Sequence, residues 1–402
     1  MPWRVTSPMN ERLYFVIDAQ RGFFPFAELC RRYGVSRKTG YKWLGRFEEL
    51  GPKNLGDRSH RPHSCPHATP AEVIQAILEL RRRRCWGAPK LQRLLRDRFP
   101  DRNPPAVGTI HRILDRHGLV PPKRRRPRRA HPGRPTTPMH SPNAIWSADF
   151  KGQFRTGNGL YCYPLTIQDG FSRFLLGCHG LTAPTIEGSR PVFERLFRQY
   201  GLPERIRTDN GAPFASNALG RLSRLSVWWV RLGIFPELIE PGQPQQNGRH
   251  ERMHRTLKAR TARPPERNLR AQQRRFDNFR SEFNHERPHE ALGQELPASL
   301  YQPSTRSFPR KLPALEYPTH FEVRRVSHNG GIRWASRWVN VSHLLAEQYV
   351  GFEEIDDCLW DVYFGPVKLG RFHEREGKIE DSFGRKSRKH RRNHKSKVSP
   401  IR

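Results

Sequence analysis

The chain has 402 residues, with 73 lysines and arginines against 38 aspartates and glutamates, a formal charge of +35 that has no internal counter-charge and calls for a polyanion, nucleic acid, as partner. No uninterrupted apolar run approaches membrane-spanning length and the opening MPWRVTSPMNER carries no signal-peptide core, so a soluble, cytoplasmic, nucleoid-associated protein is expected. The six cysteines form no CxxC pair, which argues against a disulfide framework or a Cys-rich zinc site, while 36 prolines and 31 glycines fit several domains joined by linkers.

Residues 1–59 read as a helix-turn-helix DNA-binding domain. Ser7-Pro8, an N-cap followed by a first-turn proline, opens a helix over 8–20 that carries Leu13, Val16 and Ile17 towards Gly22. FAELCRRYGVSRKTGYKWLGRF then gives a short helix with Ala27, Cys30 and Tyr33 inward, a turn at Gly34, and a helix capped by Ser36 that buries Tyr41 and Leu44. Arg37, Lys38, Thr39 and Lys42 are left outward, as a major-groove recognition helix requires, and are the expected DNA contacts. A helical hairpin with a solvated basic face is the alternative, and Gly40 within the second helix counts against a rigid reader. In the Pro-punctuated linker that follows, His60, His63, Cys65 and His67 read as solvated side chains in preference to a zinc site.

Residues 68–120 read as a second helical, helix-turn-helix-like DNA-binding domain. Thr69-Pro70-Ala71-Glu72 is a capping box, Val73, Ile77 and Leu80 repeat at helical spacing, Trp86-Gly87 turns the chain, Leu91, Leu94 and Leu95 mark a second helix, and Val107, Ile110, Ile113 and Leu114 a third. Thr109, His111, Arg112 and Arg116 face outward, with Arg112 the expected DNA contact; a purely structural three-helix bundle stays open beside this. Residues 121–142, PPKRRRPRRAHPGRPTTPMHSP, form a basic Pro-rich linker that follows phosphates.

The core spans residues 143–265. Three strand-like pieces, 144–154, 160–168 and 173–180, are joined by short Gly-containing links and so run antiparallel. A helix over 185–200 leads to a strand at 205–208, and a helical stretch including Leu219, Leu222 and Leu225 leads to a strand near 234–239, both strands parallel because helical crossovers precede them. This is the element order of a ribonuclease H-like fold. Asp149 on the first strand and Asp209 just beyond a later one then converge at the sheet. Trp228 and Trp229, among Val227, Val230 and Leu232, read as buried and not as base-stacking.

After the breakers Pro241, Gly242 and Pro244, a helix starts with Asn247 as N-cap and places Glu251 in its first turn. At 3.6 residues per turn Arg255 and Lys258 share the side of Glu251, while Met253 and Leu257 lie opposite. Gln243, Gln245, Gln246 and Asn247, just before it, either contact a DNA end or form a plain polar loop. Three acids in so basic a chain point to a bound divalent ion, since hard cations take oxygen ligands. Each acid alone also reads as a surface carboxylate, and Asp209-Asn210-Gly211 as a turn. Asp169 and Glu240 are the rival carboxylates, the first a better turn anchor and the second a better strand end.

These segments resemble the catalytic core of the integrase-type transposases of bacterial insertion sequences, relatives of retroviral integrase. The resemblance rests on TDNG at 208–211, GQPQQNGRHERMHRTLK at 242–258 and FNHERPHEALG at 283–293; it is strong over 143–301 and looser over the helical region before it. It implies an Asp-Asp-Glu triad at Asp149, Asp209 and Glu251, which would hold two Mg²⁺ or Mn²⁺ ions, Asp149 bridging both. It implies a DNA transposase that hydrolyses the phosphodiester at transposon ends and joins the freed 3′-hydroxyl to target DNA. Its partners would be double-stranded DNA, terminal repeats and target, and further copies of itself in a synaptic complex. Arg255 and Lys258 would grip DNA near the scissile phosphate. The spacing from Asp209 to Glu251 is longer than the family's, with SRLSVWWVRLG carrying the extra length, and the zinc module that precedes the retroviral core is not recognisable. A regulator using only the N-terminal helices, a nuclease cutting RNA hybrids, and a recombinase forming covalent protein-DNA links are the rival readings.

Residues 266–310 read as a helical extension with Leu269, Phe276, Phe279 and Phe283 on one stripe, ending in an Arg287-Pro288-His289 turn. Residues 311–376 alternate in strand fashion, with Asn329-Gly330 as a hairpin turn, and read as a small β-barrel that either contacts DNA or only stabilises its neighbours. Residues 377–402 form a basic disordered tail. The expected fold class is therefore multidomain: N-terminal all-α helix-turn-helix units, a central α/β ribonuclease H-like core and a C-terminal small barrel.

Overall fold

The computed structural model describes residues 6–59, 68–122, 137–240, 246 and 248–382. The linker histidines, most of the basic connector, Gln243, Gln245, Asn247 and most of the tail lie outside the described residues. The chain divides into two compact units, residues 1–70 and 71–402.

In the first unit, α1 (Pro8–Arg21) starts at Ser7, whose Oγ accepts the Asn10 N–H at 3.2 Å, and stops at Gly22, φ 68°. It packs with α2 (Phe26–Arg32) and α3 (Arg37–Leu50) around Phe15, Val16, Leu29, Cys30, Trp43 and Leu55. Two expectations are corrected. Ala27 is exposed and Leu29 is buried beside Cys30, because the short second helix turns a different stripe inward. Tyr41 is 62% exposed, its ring lying over Phe26 at 4.3 Å, and Trp43 takes the buried place. Gly40 lies on that inner face: a Cβ there would stand 2.9 Å from Cys30 Sγ, Phe15 Cζ and Phe26 Cζ, so the glycine permits close packing and does not loosen the helix.

The second unit opens with α4 (Ala71–Arg84), α5 (Ala88–Arg98) and α6 (Val107–Arg116), packed around Ile77, Trp86, Leu91, Leu95 and Ile110. The central sheet follows: β1 (Ile145–Phe150), β2 (Phe154–Arg155), β3 (Tyr161–Asp169), β4 (Leu175–Leu181), then β5 (Arg205–Thr208) and β6 (Phe235–Leu238). Its order is β4-β3-β1-β5-β6, antiparallel among the first three and parallel from β1 through β6, with β2 also pairing β3. The first strand is shorter than expected because the chain turns at Gly152, φ 76°.

Helix α7 (Ile186–Tyr200), capped by Thr185, and α8 (Arg224–Arg231), closed by a Ser223–Ser226 capping box, cover one face through Phe193, Phe197, Trp228 and Trp229. The SRLSVWWVRLG segment is thus core helix, with both tryptophans buried as expected. Leu219 and Leu222 lie outside it, since Gly220, φ 63°, breaks the backbone after Leu219, and Leu222 and Ser223 are extended before α8 begins. The other face is covered by α9 (Gly248–Thr261) and α10 (Leu269–His285), which bury Met253, Leu257, Phe276, Phe279 and Phe283 against Cys162, Leu175 and Cys178. Arg84 Nη1 bonds Glu282 Oε2 at 3.0 Å and its Nη2 pairs with Glu286, tying α4 to α10.

Beyond α11 (Pro297–Leu300) come β7 (Glu322–Arg325), β8 (Gly331–Trp334), β9 (Arg337–Asn340), β10 (Tyr349–Asp356), β11 (Leu359–Phe364), β12 (Val367–His373) and β13 (Lys378–Asp381). In place of the expected barrel they form an open five-stranded sheet, β13-β12-β11-β10-β7, and a separate β8–β9 hairpin. Both pack on one core of Trp334, Val339, Phe352, Phe364 and Phe372, joined by Leu222 and Val230 from the central region. Asn329-Gly330 is not a hairpin turn of paired strands: β7 pairs with β10, and the hairpin turns instead at Ala335-Ser336, φ 40° and 64°. No helix among the described residues is long and apolar enough to cross a membrane.

Candidate active site

The site begins with strand register. β1 and β5 are parallel neighbours and Ser147 pairs with Arg207. Asp149, two residues further along β1, and Asp209, just past the end of β5, therefore lie on the same face of the sheet. Asp209 Oδ1 accepts the Gly211 N–H at 3.2 Å, so the turn expected of Asp-Asn-Gly and the convergence of the two acids coexist. Beneath them Arg207, 2% exposed, meets Glu237 on β6 at 2.6 Å.

Glu251 stands in the first turn of α9, on the exposed side, with Arg255 and Lys258 exposed on the same flank and Met253 and Leu257 buried opposite. Burial pushes the Asp149 carboxyl up to about 7, and the charge of Asp209 pushes in the same direction, with Glu251 adding to it. Burial also raises Asp209. The fold thus brings Asp209 and Glu251 each into electrostatic reach of Asp149, and carboxylates so placed are a donor set that a divalent cation fits.

Three further residues were not anticipated. Thr166 on β3 lies opposite Asp149 in the strand register, and its hydroxyl donates to the Asp149 backbone carbonyl at 3.0 Å. The same oxygen is 2.6 Å from Nε2 of His250 and 2.6 Å from Nε2 of His254, both buried on the inner side of α9. His254 Nδ1 lies 3.7 Å from Asp149 Oδ2. One potential ligand atom from each of Asp149, His250 and His254 falls within 4.8 Å of the others. Burial, reinforced by the Lys151 charge, lowers His250 to about 3; burial, then His250 and Lys151, lowers His254 further, so both rings are neutral. The signal was present in the sequence as His at i and i+4, which shares a helix face.

The expected DNA contacts are distributed as follows. Arg37, Lys38 and Lys42 are exposed on α3, whereas Thr39 is half-buried with its hydroxyl 2.9 Å from Ser36 Oγ. Arg112 is exposed on α6, as are His111 and Arg116. Of the rival carboxylates, Asp169 is buried and accepts from the Asn143 N–H, the Ser172 N–H and the Ser172 hydroxyl, which makes it the anchor of its turn. Glu240 is exposed at the end of β6, and its N–H donates to Gln246 Oε1 at 3.0 Å.

Known families match this layout. Models described as an integrase core domain match residues 139–244 and 232–297, one described as a helix-turn-helix domain matches 11–63, and one described as a homeodomain-like domain matches 39–114. An insertion element IS476 uncharacterized protein of Xanthomonas euvesicatoria is 30% identical over 247 residues, 60% of this chain and 67% of its own length. An insertion element IS407 uncharacterized protein of Burkholderia multivorans is 27% identical over 165 residues, 40% of this chain and 56% of that relative. Among solved structures, the catalytic core domain of HTLV-2 integrase in complex with magnesium is 15% identical, with 40% of this chain and 99% of that one covered at a TM-score of 0.30. A chain of the simian T-cell lymphotropic virus intasome is 16% identical, with 73% and 97% covered at 0.35.

Proposed function

We propose, from the premise that this chain belongs to the integrase-type transposase family of bacterial insertion sequences, that it is a metal-dependent DNA transposase acting through Asp149, Asp209 and Glu251. The observation that carries the reading is the parallel pairing of Ser147 with Arg207, which sets Asp149 and Asp209 at adjacent strand ends, with Glu251 close enough to raise Asp149. The three carboxylates would hold two Mg²⁺ or Mn²⁺ ions, whose chemistry when bound is to activate the entering oxygen and stabilise the leaving one in an in-line displacement.

The residues of the chain supply binding and orientation. Asp149, on which the charges of both other acids act, would be shared between the ions, and Asp209 and Glu251 would each help to hold one. Arg255 and Lys258, on the outer flank of α9 beside Glu251, take the phosphates flanking the scissile bond. Arg37, Lys38 and Lys42 on α3, with Arg112 on α6, read terminal-repeat DNA, with Thr39 supporting the start of α3 through Ser36. In the first step water attacks the phosphodiester at the transposon end and a 3′-hydroxyl leaves. In the second, that hydroxyl's oxygen attacks a target phosphodiester and a new 3′-hydroxyl leaves. One P–O bond forms and one breaks each time, so no energy cofactor and no protein nucleophile are needed. Handling two ends at once calls for more than one copy of the chain, and the reaction belongs in the bacterial cytoplasm where the DNA is.

The test is incubation of the purified protein with the element's own terminal DNA and Mg²⁺. Cleaved ends and joined products that a chelator abolishes are expected. A trapped covalent protein-DNA adduct, or cleavage that persists in the chelator, would overturn the reading.

A further inference from the structure

The sequence His250-Glu251-Arg252-Met253-His254 has the HExxH spacing that in other folds presents two histidines to zinc, and here too both rings share one helix face. The point on which they converge is filled. Nε2 of each ring lies 2.6 Å from Thr166 Oγ1, so the hydroxyl oxygen stands where such an ion would have to be.

The proton count at this oxygen is fixed by geometry. A threonine hydroxyl has one hydrogen and two lone pairs. The Asp149 carbonyl, 3.0 Å away, can only accept, so it takes that hydrogen. Both imidazoles then donate Nε2–H to the two lone pairs. Nδ1 of His250 is buried with no hydrogen-bond partner among the described residues, and Nδ1 of His254 is turned towards Asp149 Oδ2 at 3.7 Å. The hydroxyl therefore ties three elements together at full capacity: β3 by its own backbone, β1 through the Asp149 carbonyl, and α9 through both rings.

We propose that His250 and His254 are positioning residues, which act through the Thr166 hydroxyl to fix α9, and with it Glu251, against the strand that carries Asp149. They act as Nε2–H donors to that hydroxyl and are not themselves a zinc site. Glu251 follows His250 directly in the first turn of α9, so the spacing of Glu251 from Asp149 is set within one residue of the tie. Because this inference rests on the metal-site reading above, it is tested by one measurement that depends on that reading and one that does not.

The independent measurement is ¹⁵N–¹H correlation of the histidine side chains in the full chain, with His250→Gln and His254→Gln variants for assignment. Both rings are expected to show a protonated Nε2. An unprotonated Nε2 on either ring, or loss of both Nε2 protons to stoichiometric zinc, would overturn the proposal. The dependent measurement is Mn²⁺ affinity by electron paramagnetic resonance. Thr166→Val, which keeps the shape and removes the hydroxyl, is expected to weaken Mn²⁺ binding about 10-fold or more, in the range seen when partners of metal ligands are removed, while Thr166→Ser restores it. Wild-type affinity in a folded Thr166→Val protein would sink the positioning role. If the wild type binds Mn²⁺ no better than Asp149→Asn does, the metal-site reading itself has failed, and the tautomers still decide whether the tie exists.

Discussion

Arg207 on β5 and Glu237 on β6 face each other in register and pair at 2.6 Å, two residues before Asp209 leaves the sheet. The guanidinium is almost wholly enclosed, so the pair holds the parallel β5–β6 edge on which Asp209 depends. Removing one partner would strand a buried charge. Glu237→Ala is expected to lower unfolding stability by about 3–5 kcal/mol, read by urea denaturation, and to lower DNA joining with it. A loss below about 1 kcal/mol would mean that water reaches Arg207 and that the pair is not structural.

Gly40 offers a test in the first unit. Glycine within a helix costs about 1 kcal/mol relative to alanine, so Gly40→Ala would stabilise α3 if space allowed. The added methyl would meet Cys30, Phe15 and Phe26 at 2.9 Å. Overpacking of this kind costs about 1–3 kcal/mol, and a net lowering of the first unit's melting temperature is expected by differential scanning calorimetry. A raised melting temperature would show that the core yields.

Acid sensitivity follows from half-buried histidines away from the metal site. Burial, then the charges of Arg195 and Arg280, lowers His179 to about 3; burial, then Lys90, Arg287 and Arg173, lowers His289 to about 3. Between about pH 3 and the ordinary 6.5 the unfolded chain binds protons that the folded chain does not, so stability falls as pH drops through that window. Urea midpoints should decrease from pH 7.5 to pH 5, and His289→Gln should flatten the dependence. An unchanged slope in that variant would contradict a neutral His289.

Arg255 and Lys258 are expected to act through phosphates. Each neutralised phosphate contributes about 0.9 to the slope of log affinity against log salt. Arg255→Ala and Lys258→Ala should each reduce that slope by about that amount for terminal and unrelated DNA alike. A loss confined to terminal DNA would assign them to base reading instead.

Much of this was legible because local and global signals agreed. Ser7-Pro8 and Gly22 bracket α1 as their chemistry requires, and Met253 and Leu257 fix the inner side of α9. What was illegible depended on partners remote in sequence. Tyr41 was expected inside and is exposed because the inner stripe of α3 runs through Gly40 and Trp43, with Gly40 facing Phe15, Phe26 and Cys30. Ala335-Ser336 carries no turn signature, and its left-handed backbone is imposed by packing of the hairpin over Phe352 and Phe372. Open and closed sheets share one alternation, so strand patterning alone did not separate a barrel from the observed sheet and hairpin. Thr166 is an ordinary strand residue until α9 brings two imidazoles to it.

The most direct test compares Asp149→Asn, Asp209→Asn and Glu251→Gln with the wild type for joining of terminal DNA in Mg²⁺, with end binding measured in parallel. Each substitution is expected to abolish joining by at least about 10³-fold while terminal DNA is still bound. Joining at wild-type level by any one of the three would contradict the assignment of that carboxylate and the shared metal site built on it.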